Sequence, residues 1–200
     1  MTAWRGEPYA VTSAFGAPAL FVMERAAVPL FGVRAYGVHM NGYVRKNGSV
    51  FMWIGRRARN KPTYPGLLDN MVAGGLPHGM TALACVVKEC AEEAGIAEDW
   101  ARRAVPVGAI TYCAETQEGL RPDVQFCYDL ELPAGFTPVC RDGEIEAFAL
   151  LPIGEVAAIV RDSERFKFNC NLVVIDFLVR HGMVGPDAPD YVAIVQGLHQ

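Results

Sequence analysis

A chain of 200 residues with 52% hydrophobic and 20% charged residues is long enough to bury one sizeable core, and its formal net charge of −4 is ordinary for a globular protein. That balance argues against nucleic-acid binding driven by bulk charge, and no window reaches the roughly 18 uninterrupted apolar residues that a membrane helix requires. One domain with neither a nucleic-acid nor a membrane partner is expected, in the cytoplasm, because MTAWRGEPYA carries Arg5 and Glu7 before any apolar run.

Residues 1–30 mix Pro, Gly and apolar side chains without a clean period, which predicts an N-terminal arm with one short strand or helix, packing on a domain that spans 31–200. From Val33 the pattern sharpens. VRAYGVHMNGYV and SVFMWIGRRA flank Lys46-Asn47-Gly48-Ser49, and Asn-Gly between β-rich runs predicts a two-residue hairpin. RRARNKPTYPGLLDNMVAGG, with Pro62, Pro65, Gly66, Gly74 and Gly75, then reads as a long irregular connection. Loops of this kind on rigid scaffolds often carry function. Thr81 as N-cap and Gly95 as the residue beyond the C-cap bound a helix whose apolar face is Leu83, Val86, Val87, Cys90 and Ala94. PVGAITYC, VQFCYDLEL and EIEAFALLP predict three further strands, followed by a helix from about Pro152 to Val160 and a last helix, NLVVIDFLVRHG, stopped at Gly182. The six cysteines, at 85, 90, 113, 127, 140 and 170, form no C-x-x-C pair or zinc-type spacing and read as small hydrophobes.

The helix after Thr81 raises a question of charge. Glu89, Glu92 and Glu93 lie three and four residues apart on one flank, at the end where helix carbonyls already disfavour negative charge. A solvated face would carry Lys or Arg four residues after each Glu, yet those places hold Glu93, Ile96 and Ala97, and only Lys88 is near. Such a cluster calls for a cation, and hard oxygen ligands suit Mg²⁺ or Mn²⁺, so Glu89, Glu92 and Glu93 are the candidate metal ligands.

The same stretch, GGLPHGMTALACVVKECAEEAGI, resembles the Nudix box, G-x5-E-x7-R-E-U-x-E-E-x-G-U with U aliphatic. Gly74, Glu89, Glu92, Glu93 and Gly95 match with intact spacing, while Met80 stands at the first Glu position and Lys88 at the Arg position. The resemblance extends through WRGEPYAV, RARNKPTYPGLLDNMVAGG, GLRPDVQFCYDLELP and FKFNCNLVVIDFLVRHG to the Nudix branch related to thiamine pyrophosphokinase. It implies an α+β fold in which a mixed β-sheet lies between helices (an α/β/α sandwich). It also implies metal-assisted hydrolysis of a small-molecule diphosphate, thiamine diphosphate or its oxidised analogues among the substrates, with the three helix Glu both as metal ligands and as catalytic residues. In several Nudix enzymes a later carboxylate joins the site, which makes Glu144 a further catalytic candidate, with exposed strand-edge Glu144 and Glu146 as the plain alternative.

Arg56, Arg57, Arg59 and Lys61 are candidate phosphate contacts on a loop that is otherwise simply solvated; Arg57 and Lys61 are taken as substrate-binding, Lys61 because KPTYPG belongs to the resemblance. Gly74 and Gly75 are read as substrate-binding through close backbone approach or positive φ. Asp69 and Asn70 read as turn formers, His39 as a strand residue with a satisfied ring, and His78 as exposed. Tyr112, Tyr128 and Trp53 read as core, with stacking on a heterocycle as the alternative. Two rival functions share the fold: an isomerase of the isopentenyl diphosphate class and a non-catalytic ligand-binding domain. A homodimer is left open.

Overall fold

The computed structural model describes residue 4 and residues 6–199, so positions 1–3 and 5 of the expected arm and the last position of the expected 31–200 domain lie outside the described residues. A small hairpin opens the chain: β1 (Pro8–Val11) pairs antiparallel with β2 (Phe21–Glu24), and a 3₁₀ helix follows over Arg25–Phe31. The arm is thus richer than one short element, because two strands pair across a loop whose apolar residues show no sequence period.

β3 (Ala35–Lys46) and β4 (Ser49–Arg57) form the expected hairpin. Asn47 and Gly48 both take positive φ, 51° and 77°, as a two-residue turn of primed type requires. The segment read as an irregular connection contains two strands, β5 (Leu68–Asp69) and β6 (Val72–Gly75). Gly74 and Gly75 are paired residues of β6, opposite Val38 and Gly37, and neither has positive φ. Glycine is depleted in strands, so its presence here reflects close approach of other groups rather than a turn.

The helix over the Glu cluster, α1 (Ala82–Glu93), begins as expected with Thr81 Oγ1 accepting from the Ala84 N–H at 3.2 Å and is followed by Gly95 at φ 65°. A short α2 (Glu98–Ala101), β7 (Val105–Thr116), β8 (Gly119–Glu131), β9 (Ile145–Pro152), α3 (Ile153–Asp162) and α4 (Phe168–Arg180) complete the layers, with a short α5 (Tyr191–Gly197) at the end. α2 and α5 have too few residues to show a helical period. α4 begins three residues before the expected Asn171.

Seven strands make one mixed sheet. The path β5-β4-β3-β8-β7 is antiparallel except for the parallel β3/β8 pair; β6 adds to the free stretch of β3 and β9 to β4. Alternation along the strands sorts the two faces. Val38, Met40, Val44 and Leu130 pack with Cys85, Val86, Cys90 and Ala101 of α1 and α2 on one face. Val50, Met52 and Ile54 pack with Val156 of α3 and with Cys170, Val174 and Phe177 of α4 on the other. The fold is the expected α/β/α sandwich. Four cysteines (85, 90, 127, 170) are buried and none is in a disulfide, but Cys113, expected among the buried ones, is exposed at a non-core position of β7. Among the described residues no helix is long and apolar enough to cross a membrane.

Candidate active site

The C-terminus of α1 is capped by the loop that leads into β9. The Val139 N–H donates to the Ala94 carbonyl (3.0 Å) and the Arg141 N–H to the Glu92 carbonyl (2.9 Å), satisfying helix-end acceptors that have no partner within the helix. This docking carries Asp142 and Glu144 against Glu93, so that carboxylate oxygens of all three lie within 4.8 Å of one another. Glu144 precedes β9 rather than lying in it, its N–H donating to Asp142 Oδ1 at 2.8 Å, while Glu146 is exposed on the strand. Sequence reasoning missed Asp142; the signal available was the Asp-Gly turn in RDGEIE.

Glu93 is buried, and its Oε2 accepts from the Ala73 N–H at 2.8 Å. Burial first, then the charges of Asp69, Glu89 and Glu144, push its pKa well above the ordinary carboxylate range. Glu89 lies over Gly74, where a side chain would collide with it, and burial raises its pKa too. Glu92 is half exposed. Lys88 answers the charge question posed by the helix, its Nζ bridging Glu89 Oε1 (3.1 Å) and Glu92 Oε2 (2.6 Å). A site built only of carboxylate oxygens, with the charged forms of Glu89 and Glu93 disfavoured until a cation arrives, fits a hard divalent ion.

The carboxylates Glu89, Glu92, Asp142 and Glu144 open into a cleft of about 470 Å³, which Lys61, Gly74, Gly75, Lys88, Arg25 and Arg121 also line. Lys61 is ion-paired with Glu144. Arg57, taken from the sequence as a phosphate contact, borders the cleft but is buried and fully engaged: Nη1 meets Asp69 Oδ2 at 2.7 Å, Nε donates to the Tyr64 carbonyl (3.1 Å) and Nη2 to the Thr63 carbonyl (2.9 Å). It clamps its own loop. Met80 is absent from the cleft wall and packs against the α1-side core, because Thr81 starts the helix and the preceding side chain turns inward.

Asp69 and Asn70, which read from the sequence as turn formers, are buried. Asp69 Oδ1 accepts from the Asn70 N–H, and Asn70 Oδ1 meets His39 Nδ1 at 2.8 Å. His39 Nε2 meets Asn169 at 3.2 Å, so the ring is satisfied on both sides, as expected for a strand histidine. His39, Asp69 and Cys170 also cluster within 4.8 Å, but the His39 nitrogens are taken by Asn70 and Asn169 and Asp69 is held by Arg57, so this group is structural. Trp53, Tyr128 and Tyr112 all belong to the buried core, as expected; Tyr112 also borders the cleft, edge-on to the half-exposed Phe168 with ring centroids 5.4 Å apart. His78 is exposed, as expected.

A sandwich of this topology carrying a glutamate-rich helix after a glycine pair defines a family. The family model described as NUDIX domain matches residues 36–171, and the chain belongs to the Nudix family. A further model, described only as a domain of unknown function (DUF4743), matches residues 1–35. Two curated relatives from Arabidopsis thaliana, "Nudix hydrolase 20, chloroplastic" and "Nudix hydrolase 24, chloroplastic", are 51% and 50% identical to it over 194 residues, 97% of this chain but 52% and 53% of theirs. The chain therefore spans about half the length of these relatives. Among solved structures, the NUDIX domain of Shewanella oneidensis NrtR, complexed with ADP ribose, shares the fold with a TM-score of 0.58 at 12% identity, covering 78% of this chain and 92% of that one.

Proposed function

We propose that this protein is a divalent-metal-dependent hydrolase that cleaves a diphosphate linkage in a small molecule to release a monophosphate. The observation that carries the reading is the convergence of Glu93, Asp142 and Glu144 beside Glu89 at one end of a cleft large enough for a cofactor-sized ligand. Glu89, Glu92 and Glu93 would hold Mg²⁺ or Mn²⁺, with Glu144 adjoining; when bound, the ion neutralises phosphate charge and acidifies a coordinated water. The chain's own residues supply the rest. The Ala73 amide orients Glu93, Lys88 ties Glu89 to Glu92, and Gly74 leaves room for Glu89 to reach the centre. Glu144, steadied by Lys61 and half exposed to the cleft, is assigned as the base that takes the proton of the attacking water.

For the substrate, nucleoside-diphosphate-linked compounds are the proposed class, supported by family membership and by the ADP ribose bound to the NrtR Nudix domain. Thiamine diphosphate and its oxidised analogues are the narrower candidates; the wider sequence resemblance supports them, together with Phe168, whose half-exposed ring on the cleft wall offers a face to a flat heterocyclic cation. A turnover screen of nucleoside, sugar and thiamine diphosphates with Mg²⁺ and with Mn²⁺, products identified by mass, tests both levels. Absence of turnover on every member would overturn the hydrolase reading in favour of a ligand-binding domain.

A further inference from the structure

Of the basic side chains that the sequence offers near the box, those that line the cleft are engaged with carboxylates. Arg57 is spent on Asp69 and two carbonyls, Lys61 on Glu144, and Lys88 on Glu89 and Glu92. A diphosphate entering this acidic cleft needs donors from elsewhere, and the N-terminal hairpin brings two. Arg25, at the start of the 3₁₀ helix, lines the cleft with Nη1 on Glu7 Oε2 at 2.8 Å and no hydrogen-bond partner for Nε or Nη2 among the described residues. Tyr9 of β1 lines the same cleft, is 5% exposed, and its hydroxyl likewise has no hydrogen-bond partner among the described residues. The ring is buried while the hydroxyl borders the cleft, where a ligand oxygen would complete its bonding.

Both groups converge on Gly75, next in the strand to the glycine that accommodates Glu89. A side chain at Gly75 would overlap the Tyr9 hydroxyl and stand 3.1 Å from Arg25 Cζ. The hairpin that carries them is held at both sides of the cleft. The His78 N–H, in the box loop, donates to the Pro8 carbonyl at 2.9 Å, and Gly119, at the turn between β7 and β8, packs so closely on the Pro29 carbonyl that no Cβ fits. Burial pushes the Tyr9 pKa up to about 12, so the hydroxyl remains a donor at neutral pH.

We infer that Tyr9 and Arg25 donate hydrogen bonds to a non-bridging phosphate oxygen of the diphosphate above Gly75, so that the N-terminal hairpin is a fixed wall of the substrate site. This assigns a role to a segment whose family model describes none, and it rests on the diphosphate-hydrolase reading above. Arg is suited to such a contact because its planar fork reaches phosphate oxygens while one edge stays paired with Glu7.

The test is calorimetric titration of the full chain with inorganic pyrophosphate, with and without Mg²⁺, for wild type, Tyr9→Phe, Arg25→Gln, Arg25→Lys and Glu7→Gln, with KM and kcat measured on any diphosphate that turns over. Arg25→Gln is expected to weaken binding about tenfold or more and Tyr9→Phe several-fold, in line with one charge-assisted and one neutral hydrogen bond. Arg25→Lys should retain part of the affinity. Glu7→Gln, which removes the ion pair but keeps the guanidinium, should stay within about twofold of wild type. Unchanged binding in both Tyr9→Phe and Arg25→Gln overturns the inference, as does a Glu7→Gln loss equal to that of Arg25→Gln, which would make Arg25 a mere anchor for the hairpin. Failure of wild type to bind pyrophosphate at millimolar concentration overturns it too. Melting curves identify any variant that fails to fold; if Arg25→Gln is one, Tyr9→Phe and Arg25→Lys decide. Binding without turnover of any diphosphate would instead defeat the hydrolase reading alone.

Discussion

Replacing Gly74 by alanine adds one methyl group where the structure leaves no room for it. The new carbon would stand 2.5 Å from Glu89 Cγ, 2.6 Å from Cδ and 2.7 Å from Oε1, whereas ordinary contacts to a Cβ lie at 3.4–4 Å. Glu89 must therefore retreat by about 1 Å or swing away, because the strand backbone around Gly74 is held by its pairing with Val38. Gly74 has no positive φ, so alanine fits the backbone itself without strain and the conflict falls on one flexible side chain. The expected cost to the fold is about 1–2 kcal/mol, the lower part of the overpacking range. The expected cost to function is larger, since a displacement of about 1 Å in a reacting group lowers rates on the order of 100-fold. Melting curves with and without Mg²⁺, together with initial rates on a diphosphate that wild type hydrolyses, separate the two effects. Gly74→Ala should melt within several degrees of wild type in the absence of metal, gain less from Mg²⁺, and turn over at least tenfold more slowly. Full retention of both the Mg²⁺-dependent gain and the rate would show that Glu89 is not part of the metal centre, since an ion bound only by the native state must raise its stability.

Glu93→Gln keeps an oxygen for the Ala73 N–H but removes a buried charge opposed by burial and by Asp69, so it should match or exceed wild type in metal-free urea denaturation while losing at least about 100-fold in turnover; a marked loss of stability would contradict the electrostatic account. Met80→Glu puts a carboxylate among the apolar neighbours of the α1-side core, with an expected cost of about 1–2 kcal/mol and no gain in rate or Mg²⁺ affinity. A several-fold rate increase in that variant would mean that position 80 reaches the centre after all. His39 is held neutral, burial lowering its pKa to about 4 from the ordinary 6.5. The unfolded chain takes up this proton first, so its contribution is intact above about pH 6.5, falls as pH drops towards about 4, and is constant below. Its limiting slope is about 1.4 kcal/mol per pH unit. Denaturation midpoints of wild type and His39→Gln should therefore converge as pH falls through that window, and parallel curves would show that His39 is not buried neutral.

The α1 segment was legible from the sequence because its information is local. Thr81, Gly95, the apolar face and the Glu spacing all act within about four residues, and each is found as read, including the positive φ of Gly95. The Asn47-Gly48 hairpin was legible for the same reason. Gly74 and Gly75 read as loop in the sequence because glycine carries no side chain from which strand alternation can be seen; their neighbours across space, Glu89 and Tyr9, explain them. Arg57 reads from the sequence as a phosphate contact because its charge is visible there and its partner Asp69, twelve positions away, is not identifiable as such. Met80 sits at a motif position, yet the direction of its side chain depends on where the helix begins and what apolar surface lies beneath.

By itself the sequence determined the charge cluster: three carboxylates on one helix flank and their spacing follow from helix geometry and from like-charge repulsion, both of which are short-range. What only the tertiary structure decided is the company those carboxylates keep. Asp142 and Glu144 arrive about fifty residues later because their loop caps the carbonyls at the end of α1, and Tyr9 and Arg25 arrive from the first thirty residues because their hairpin is pinned between the box loop and the β7–β8 turn. Neither docking leaves a period or a motif in the chain, since each is settled by backbone hydrogen bonds and close packing between segments far apart in sequence, where any residue able to offer an amide or a small surface would serve.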